Sequence, residues 1–168
     1  MTNDVVFMPG SKQIQLSPLQ AAAKDFGWVV NVSRDVCEIA AAQASRKTVA
    51  VLFCCDTLGR GYSWIETIRL FRRALPEARL LPCHGFSEPI DWPELCDAGA
   101  FHALWLPLRE NEVRQSLGFV WEAEERFARS LGRLSGIAAG SSSLGTIQRL
   151  PSGRESSLRM SSTTHAAG

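Results

Sequence analysis

The sequence has no long apolar run, no excess of charge of one sign and no paired-cysteine motif. A stretch of about 18 consecutive apolar residues, the length that crosses a membrane, is missing, and the amino terminus lacks the basic and apolar regions of a signal peptide. The 18 Lys and Arg residues balance 17 Asp and Glu residues, which leaves a formal net charge of +1. We therefore predict a cytoplasmic protein that binds neither nucleic acid nor a membrane.

Motifs for metal and phosphate binding are also missing. The five cysteines are an odd number without a C-x-x-C spacing, so the sequence predicts neither a disulfide framework nor a structural zinc site. No G-x-G-x-x-G or G-K-[ST] pattern is present, which gives no support for a bound nucleotide. We therefore expect buried free thiols, no metal site and no cofactor. The cysteines are Cys37, Cys54, Cys55, Cys83 and Cys96.

Composition divides the chain near residue 130. A length of 168 residues fits about one compact domain. Residues 130–168 contain ten Ser, six Gly and three Thr, with few aliphatic residues between them. Such a composition buries little apolar surface and does not support a packed core. The sequence therefore predicts a folded domain over residues 1–129 and a disordered Ser/Gly-rich tail over residues 130–168.

Short apolar runs alternate with segments of helical periodicity through residues 4–129. The run from Val49 to Cys55 is apolar at every position, a pattern typical of a central parallel strand covered on both faces. A strand over residues 101–106 precedes a last helix from about Arg109 to Phe127. Five strands alternating with five helices require right-handed crossovers. We predict an α/β, flavodoxin-like three-layer sandwich whose five-stranded parallel sheet has the order 2-1-3-4-5.

Two stretches carry a resemblance to a known family. Asp56 ends the central strand and is followed by Gly59 and Gly61 before the next helix, and residues 98–108 read AGAFHALWLPL. Both stretches resemble the CheY-like receiver domains of two-component response regulators, over about residues 4–125. In that family the aspartate after strand three accepts a phosphoryl group. The resemblance therefore implies a role in phosphorelay signal transduction, with Asp56 at the phosphoacceptor position.

Several positions depart from the family's phosphorylation site. Members of the family carry an acidic pair at the end of strand one that helps to hold Mg²⁺. The resemblance places Met8 and Pro9 of this chain at those two positions. The family's lysine before the strand-five proline falls on Leu106, which offers no charge to a phosphoryl group. We expect a degenerate, pseudo-receiver site with no metal of its own, and Mg²⁺ only if the aspartate is phosphorylated. The residues expected to line the site are Met8, Pro9, Cys83, His84 and Leu106.

Two tryptophans fall on elements that receivers use to meet partners. Trp105 lies in the predicted fifth strand and Trp121 in the last helix. Ala103 stands where receivers carry a switch aromatic, so no ring is present there to swing between buried and exposed positions. The resemblance implies a fixed binding face for a histidine kinase, for a downstream effector or for a second copy in a homodimer.

The favoured interpretation is a stand-alone, non-enzymatic receiver-like protein that signals by binding a protein partner. A phosphorylation-competent receiver using Asp56 is one alternative. Another is a small α/β enzyme or cofactor binder that uses the strand-end cleft, where Cys83 and His84 place a thiol next to a base. Neighbouring residues on a strand point to opposite faces, which argues against direct pairing of these two side chains. A purely structural assembly module is the last alternative.

Overall fold

Five parallel strands form a sheet in the order β2-β1-β3-β4-β5. The computed structural model describes residues 2–59 and 61–140. The strand order and the parallel pairing confirm the predicted flavodoxin-like architecture. The strands are β1 (Thr2–Met8), β2 (Val29–Val32), β3 (Arg46–Phe53), β4 (Arg79–His84) and β5 (Leu104–Trp105).

A helix follows each strand. The helix over Trp64–Ala74 begins at a capping box, in which Ser63 Oγ accepts a hydrogen bond from Glu66 N and the Glu66 carboxylate accepts one from Ser63 N. The helices are α1 (Ser17–Asp25), α2 (Val36–Ala42), α3 (Trp64–Ala74), α4 (Trp92–Ala98) and α5 (Glu110–Gly140). Among residues 2–59 and 61–140, no helix has both the length and the apolar character needed to cross a membrane.

The β3 strand separates two hydrophobic clusters, one on each face of the sheet. Ala50 and Leu52 pack into the cluster that includes α1 and α5 residues, whereas Val51 and Phe53 pack into the cluster that includes α3 and α4 residues. All four side chains are fully buried. Burial on both faces explains the uninterrupted apolar run. The strand order places β3 in the middle of the sheet, and sites form at the carboxyl ends of the strands in this fold.

The last strand and the last helix differ in length from the sequence prediction. β5 is limited to Leu104–Trp105, although Phe101 N still donates a hydrogen bond to Leu80 O at 2.8 Å. The compact unit extends to Leu131, and residues 132–140, the described part of a second unit, are helical. The first part of the predicted tail is thus helical. The rest of it, residues 141–168, lies outside the described residues.

Candidate functional site

Hydrogen bonds tie the carboxyl ends of β1 and β3 together. Cys54 N donates to Met8 O at 3.1 Å, and Thr57 Oγ1 donates to the same carbonyl at 2.8 Å. Thr57 Oγ1 also accepts from Cys54 N at 3.1 Å. Asp56 lies between these two bonded residues in sequence. The turn after β3 is therefore anchored beside the loop that follows β1.

The β1–α1 loop holds the Asp56 carboxylate. Its Oδ2 accepts a hydrogen bond from Ser11 N at 3.1 Å and another from Ser11 Oγ. Gly10 has a φ of +62°, and a Cβ atom at this position would collide with the carboxylate. The second oxygen, Oδ1, is buried and has no hydrogen-bond partner among the described residues. Of the two Asp56 carboxylate oxygens, Oδ2 is therefore hydrogen-bonded to Ser11, whereas Oδ1 is not hydrogen-bonded to any described residue.

A second acidic residue, Glu88, joins three strand-end loops. Its Oε2 lies 2.5 Å from Lys12 Nζ of the β1–α1 loop and accepts from Gly85 N at 3.1 Å. Its Oε1 accepts from Cys55 Sγ, after β3, at 3.0 Å. The side chains of Lys12 and Glu88 are 30% and 22% exposed, so the ion pair is partly shielded from water. The Glu88 cluster is defined as Lys12, Cys55, Gly85 and Glu88.

Burial and hydrogen bonding set the protonation of the Glu88 cluster. Burial alone would raise the pKa of Glu88, but hydrogen bonds from Cys55, Lys12 and Gly85 outweigh it, so the pKa lies below its usual value. Burial and the bond to Glu88 raise the pKa of Cys55 to about 11. Burial opposes the charge of Lys12, yet Glu88 raises its pKa overall. At neutral pH the cluster therefore contains a carboxylate, an ammonium group and a neutral thiol.

Met8, Pro9 and Leu106, which the resemblance places at the positions of the acidic pair and the lysine, carry no polar side-chain group. Met8 is fully buried on the α3 side of the sheet, and the Pro9 carbonyl accepts a hydrogen bond from Lys12 N at 3.2 Å. Leu106 precedes Pro107 in a cis peptide bond and lines a cleft of 510 Å³ together with Lys12. A cation, Lys12 of the β1–α1 loop, therefore lines the same cleft as Leu106, and the resemblance did not point to this residue.

Cys83 and His84 lie in different surroundings. Cys83 is fully buried in the cluster on the α1 side, and this burial raises its pKa well above the usual value. His84 is 4% exposed, its ring centroid lies 4.2 Å from that of Trp105, and its Nδ1 has no partner among the described residues. Asp56 is hydrogen-bonded to Ser11 and to neither of these two residues. A nucleophilic thiol–imidazole pair is therefore not formed here.

The expectation of buried thiols is correct for only part of the cysteines. Cys54 is buried like Cys83, and burial raises its pKa to about 12. Cys55 is partly exposed, whereas Cys37 in α2 and Cys96 in α4 are exposed, because these two positions lie on the solvent side of their helices. All five cysteines are free.

Exposed aromatic residues surround the end of β5. Phe86, in the β4–α4 loop, is 89% exposed, and its ring centroid lies 5.0 Å from that of Trp105. Trp105 is 44% exposed, and Trp121 in α5 is 46% exposed. A groove of 520 Å³ is lined by His84, Phe86, Ala103 and Trp105 among others. The aromatic patch is defined as His84, Phe86 and Trp105.

The Glu88 cluster and Phe86 were not predicted from the sequence. Lys12 and Glu88 are 76 positions apart and stand in loops, where a charged residue is ordinary. The one available signal was placement, since Lys12, Cys55 and Glu88 each follow a buried strand by a few residues. The carboxyl ends of parallel strands meet at one edge of the sheet, so such residues are brought together.

The residues at these strand ends do not fit Mg²⁺, which requires oxygen ligands in octahedral geometry. Asp56 Oδ2 is bonded to Ser11, the Glu88 carboxylate is paired with Lys12, and Met8 has a thioether. Within residues 2–59 and 61–140, no group of three or more His, Cys, Asp or Glu side chains is arranged to hold a metal ion.

Comparison with known proteins finds similarity in structure but not in sequence. No family model and no curated protein matches the chain. A response regulator receiver domain protein from Clostridium thermocellum superposes with a TM-score of 0.58 at 12% identity, covering 76% of this chain and 99% of that chain. A response regulator from Thermotoga maritima gives 0.55 at 16% identity, covering 71% and 98%.

The signal receiver domain of an HD domain-containing protein from Pseudomonas fluorescens Pf-5 gives a TM-score of 0.56 at 15% identity, covering 75% of this chain and 99% of that chain. Identities of this size establish similarity of fold. Together with the strand order, they show that this chain has the fold of the response regulator receiver domains.

Proposed function

We propose that this chain is a receiver-like protein of two-component signal transduction that acts by binding a protein partner, with a degenerate phosphorylation site. The observation that carries this proposal is the chemistry at the end of β1. Met8 is fully buried and Pro9 follows it, where receivers carry the acidic pair for Mg²⁺. The remaining acid, Asp56, is hydrogen-bonded to Ser11.

Phosphoryl transfer depends on positioning and on neutralising charge over the phosphoryl oxygens. A single carboxylate does not supply the oxygen cage of Mg²⁺. Leu106 adds no charge where receivers carry a lysine, and Lys12, the cation beside it in the cleft, is already paired with Glu88. We therefore expect phosphoryl transfer to Asp56 to be slow and an acyl phosphate at Asp56 to be less stable.

The partner face in this proposal is formed by Trp105 and Trp121. Both are nearly half exposed, and large exposed aromatic residues are frequent anchors of protein interfaces. The proposed partners are a histidine kinase, a downstream effector or a second copy of the chain. The small net charge gives no reason to propose nucleic acid or an anionic membrane. The proposal assigns no enzymatic activity.

A second candidate is a phosphorylation-competent receiver. Asp56 Oδ1 has no hydrogen-bond partner among the described residues, so one carboxylate oxygen is not committed to another group, although it is buried against Gly10. This candidate requires a metal that binds at Asp56 in spite of Met8 and Pro9. Metal binding therefore separates the two candidates.

Titration with Mn²⁺, a paramagnetic ion that takes the same hard oxygen ligands as Mg²⁺, tests the proposal. The amide resonances of Ser11 and Thr57 report on the surroundings of Asp56 in ¹H–¹⁵N spectra. We expect millimolar Mn²⁺ to broaden these resonances equally in the wild type and in Asp56→Asn. Broadening of both amides in the wild type that Asp56→Asn abolishes would favour the phosphorylation-competent receiver.

A further inference from the structure

The Glu88 cluster connects the candidate site to the aromatic patch. Glu88 accepts hydrogen bonds from Gly85 N and Cys55 Sγ and forms an ion pair with Lys12. One carboxylate thus holds together the loops that follow β1, β3 and β4. The backbone closes the last of these loops further, because Glu88 N donates to Gly85 O at 3.0 Å.

Phe86 lies inside the loop that Glu88 closes. Its side chain is 89% exposed, so burial does little to hold the ring in place. The ring nevertheless lies 5.0 Å from Trp105, whose other neighbour is His84. The position of Phe86 over Trp105 therefore depends on the conformation of residues 85–88. This conformation is held by the bonds between Gly85 and Glu88 and by the pairing of the Glu88 carboxylate with Lys12.

We propose that the Lys12–Glu88 ion pair is a built-in clamp that fixes the β4–α4 loop and thereby the aromatic patch presented to a partner. Because the pair is partly buried, salt screens it less than it screens a fully exposed pair. In this arrangement an internal ion pair, rather than a phosphoryl group, sets the conformation of the loop. The statement about the partner rests on the proposed function, whereas the clamp itself is measured on the isolated chain.

The test compares Lys12→Met, which removes the charge, with Lys12→Arg, which keeps it. Two resonances report on the clamp: the Trp105 indole N–H, assigned with Trp105→Phe, and the Gly85 amide, which donates to Glu88. We expect Lys12→Met to shift the Trp105 signal and to speed hydrogen exchange at Gly85 roughly tenfold or more, since the acceptor is a charged group that is no longer held. Lys12→Arg is expected to leave both signals near their wild-type values.

Arg126→Met is the matched control, because Arg126 and Glu122 form an exposed ion pair within α5. It is expected to change neither resonance. If Lys12→Met does not fold, Glu88→Gln replaces it, since the amide oxygen still accepts from Gly85 N while the charge is lost, and a shifted Trp105 signal is again expected. Wild-type values of both signals in the folded charge-removing variant would overturn the clamp.

No partner, phosphodonor or metal enters this measurement. An unchanged Lys12→Met spectrum therefore refutes the clamp without affecting the proposed function. Conversely, Asp56-dependent metal binding refutes the proposed function without affecting the clamp.

Discussion

Gly10 provides the space that the Asp56 carboxylate fills. The glycine adopts a φ of +62°, and its missing side chain allows the carboxylate to lie against the backbone while Ser11 donates two hydrogen bonds to it. The acid that ends the central strand is therefore part of the structure of the β1–α1 loop. This relationship makes the loop sensitive to small changes.

Gly10→Ala is expected to destabilise the protein more than Gly27→Ala. Gly27 has a similar φ of +69° but nothing within 4 Å of its Cβ position, so its substitution costs only the backbone strain, about 1 kcal/mol. Gly10→Ala adds overpacking against Asp56, about 1–3 kcal/mol more. Urea denaturation of both variants measures the difference. Equal free energies of unfolding would show that the carboxylate does not occupy this space.

Ser11→Ala is expected to lower the free energy of unfolding by about 1 kcal/mol, because the hydroxyl that donates to Asp56 is lost while the backbone bond remains. A double-mutant cycle with Asp56→Ala isolates this interaction. Ser45→Ala is the control, since the Ser45 hydroxyl donates only to Ala42 O, in its own turn. Additive effects of Ser11→Ala and Asp56→Ala would contradict the contact.

The stabilisation provided by Glu88 is expected to depend on pH. Its pKa in the folded protein lies below the usual value of 4.5, so its contribution is complete above the unfolded pKa and is lost as pH falls through the folded pKa. Lys12 stays charged and Cys55 stays a thiol throughout this acidic range. The difference in unfolding free energy between wild type and Glu88→Gln should therefore be constant near pH 7 and shrink below about pH 4.5.

Glu122→Gln, which breaks an exposed ion pair of α5, serves as the comparison. Its effect should be small at every pH, because exposed pairs contribute little. A difference between wild type and Glu88→Gln that grows as the solution becomes more acidic would have the wrong sign for a carboxylate stabilised in its charged form.

Alkylation is expected to separate the five thiols. Iodoacetamide at pH 8 should modify the exposed Cys37 and Cys96 first, whereas Cys55, with a pKa of about 11, has roughly a thousandth of its population as thiolate. Cys54 and Cys83 are buried and should react only when the protein unfolds. Peptide mass mapping over time gives the order. Early modification of Cys83 would place a reactive thiol at the end of β4 and revive the enzyme interpretation.

The sheet was predictable because its pattern is local. The apolar run from Val49 onward reports directly that β3 is covered on both faces, and alternation with helices determines parallel pairing. The Lys12–Glu88 pair was not predictable, because both residues are ordinary charged loop residues in the sequence. They form an ion pair only when the fold brings the ends of the strands together. α5 extends beyond its predicted end at Phe127, because Leu131 and Leu134 continue the helical spacing among the Ser and Gly residues.

For Asp56, too, the position could be predicted from the sequence but the contacts of the side chain could not. Its place at the end of β3 follows from sequence, since the apolar run stops there. Its hydrogen bonds to Ser11 do not, because they depend on the left-handed backbone of Gly10 and on the contact between two loops. The sequence therefore predicts where Asp56 lies, whereas its hydrogen bonds are seen only in the folded structure.

Intact-mass spectrometry after incubation with acetyl phosphate and Mg²⁺ tests the central claim, a degenerate phosphorylation site, most directly. A receiver domain that retains the acidic pair is the positive control in the same reaction. We expect the wild type and Asp56→Asn both to keep their original mass while the control gains a phosphoryl group. A stoichiometric gain of one phosphoryl group by the wild type that Asp56→Asn lacks would contradict it.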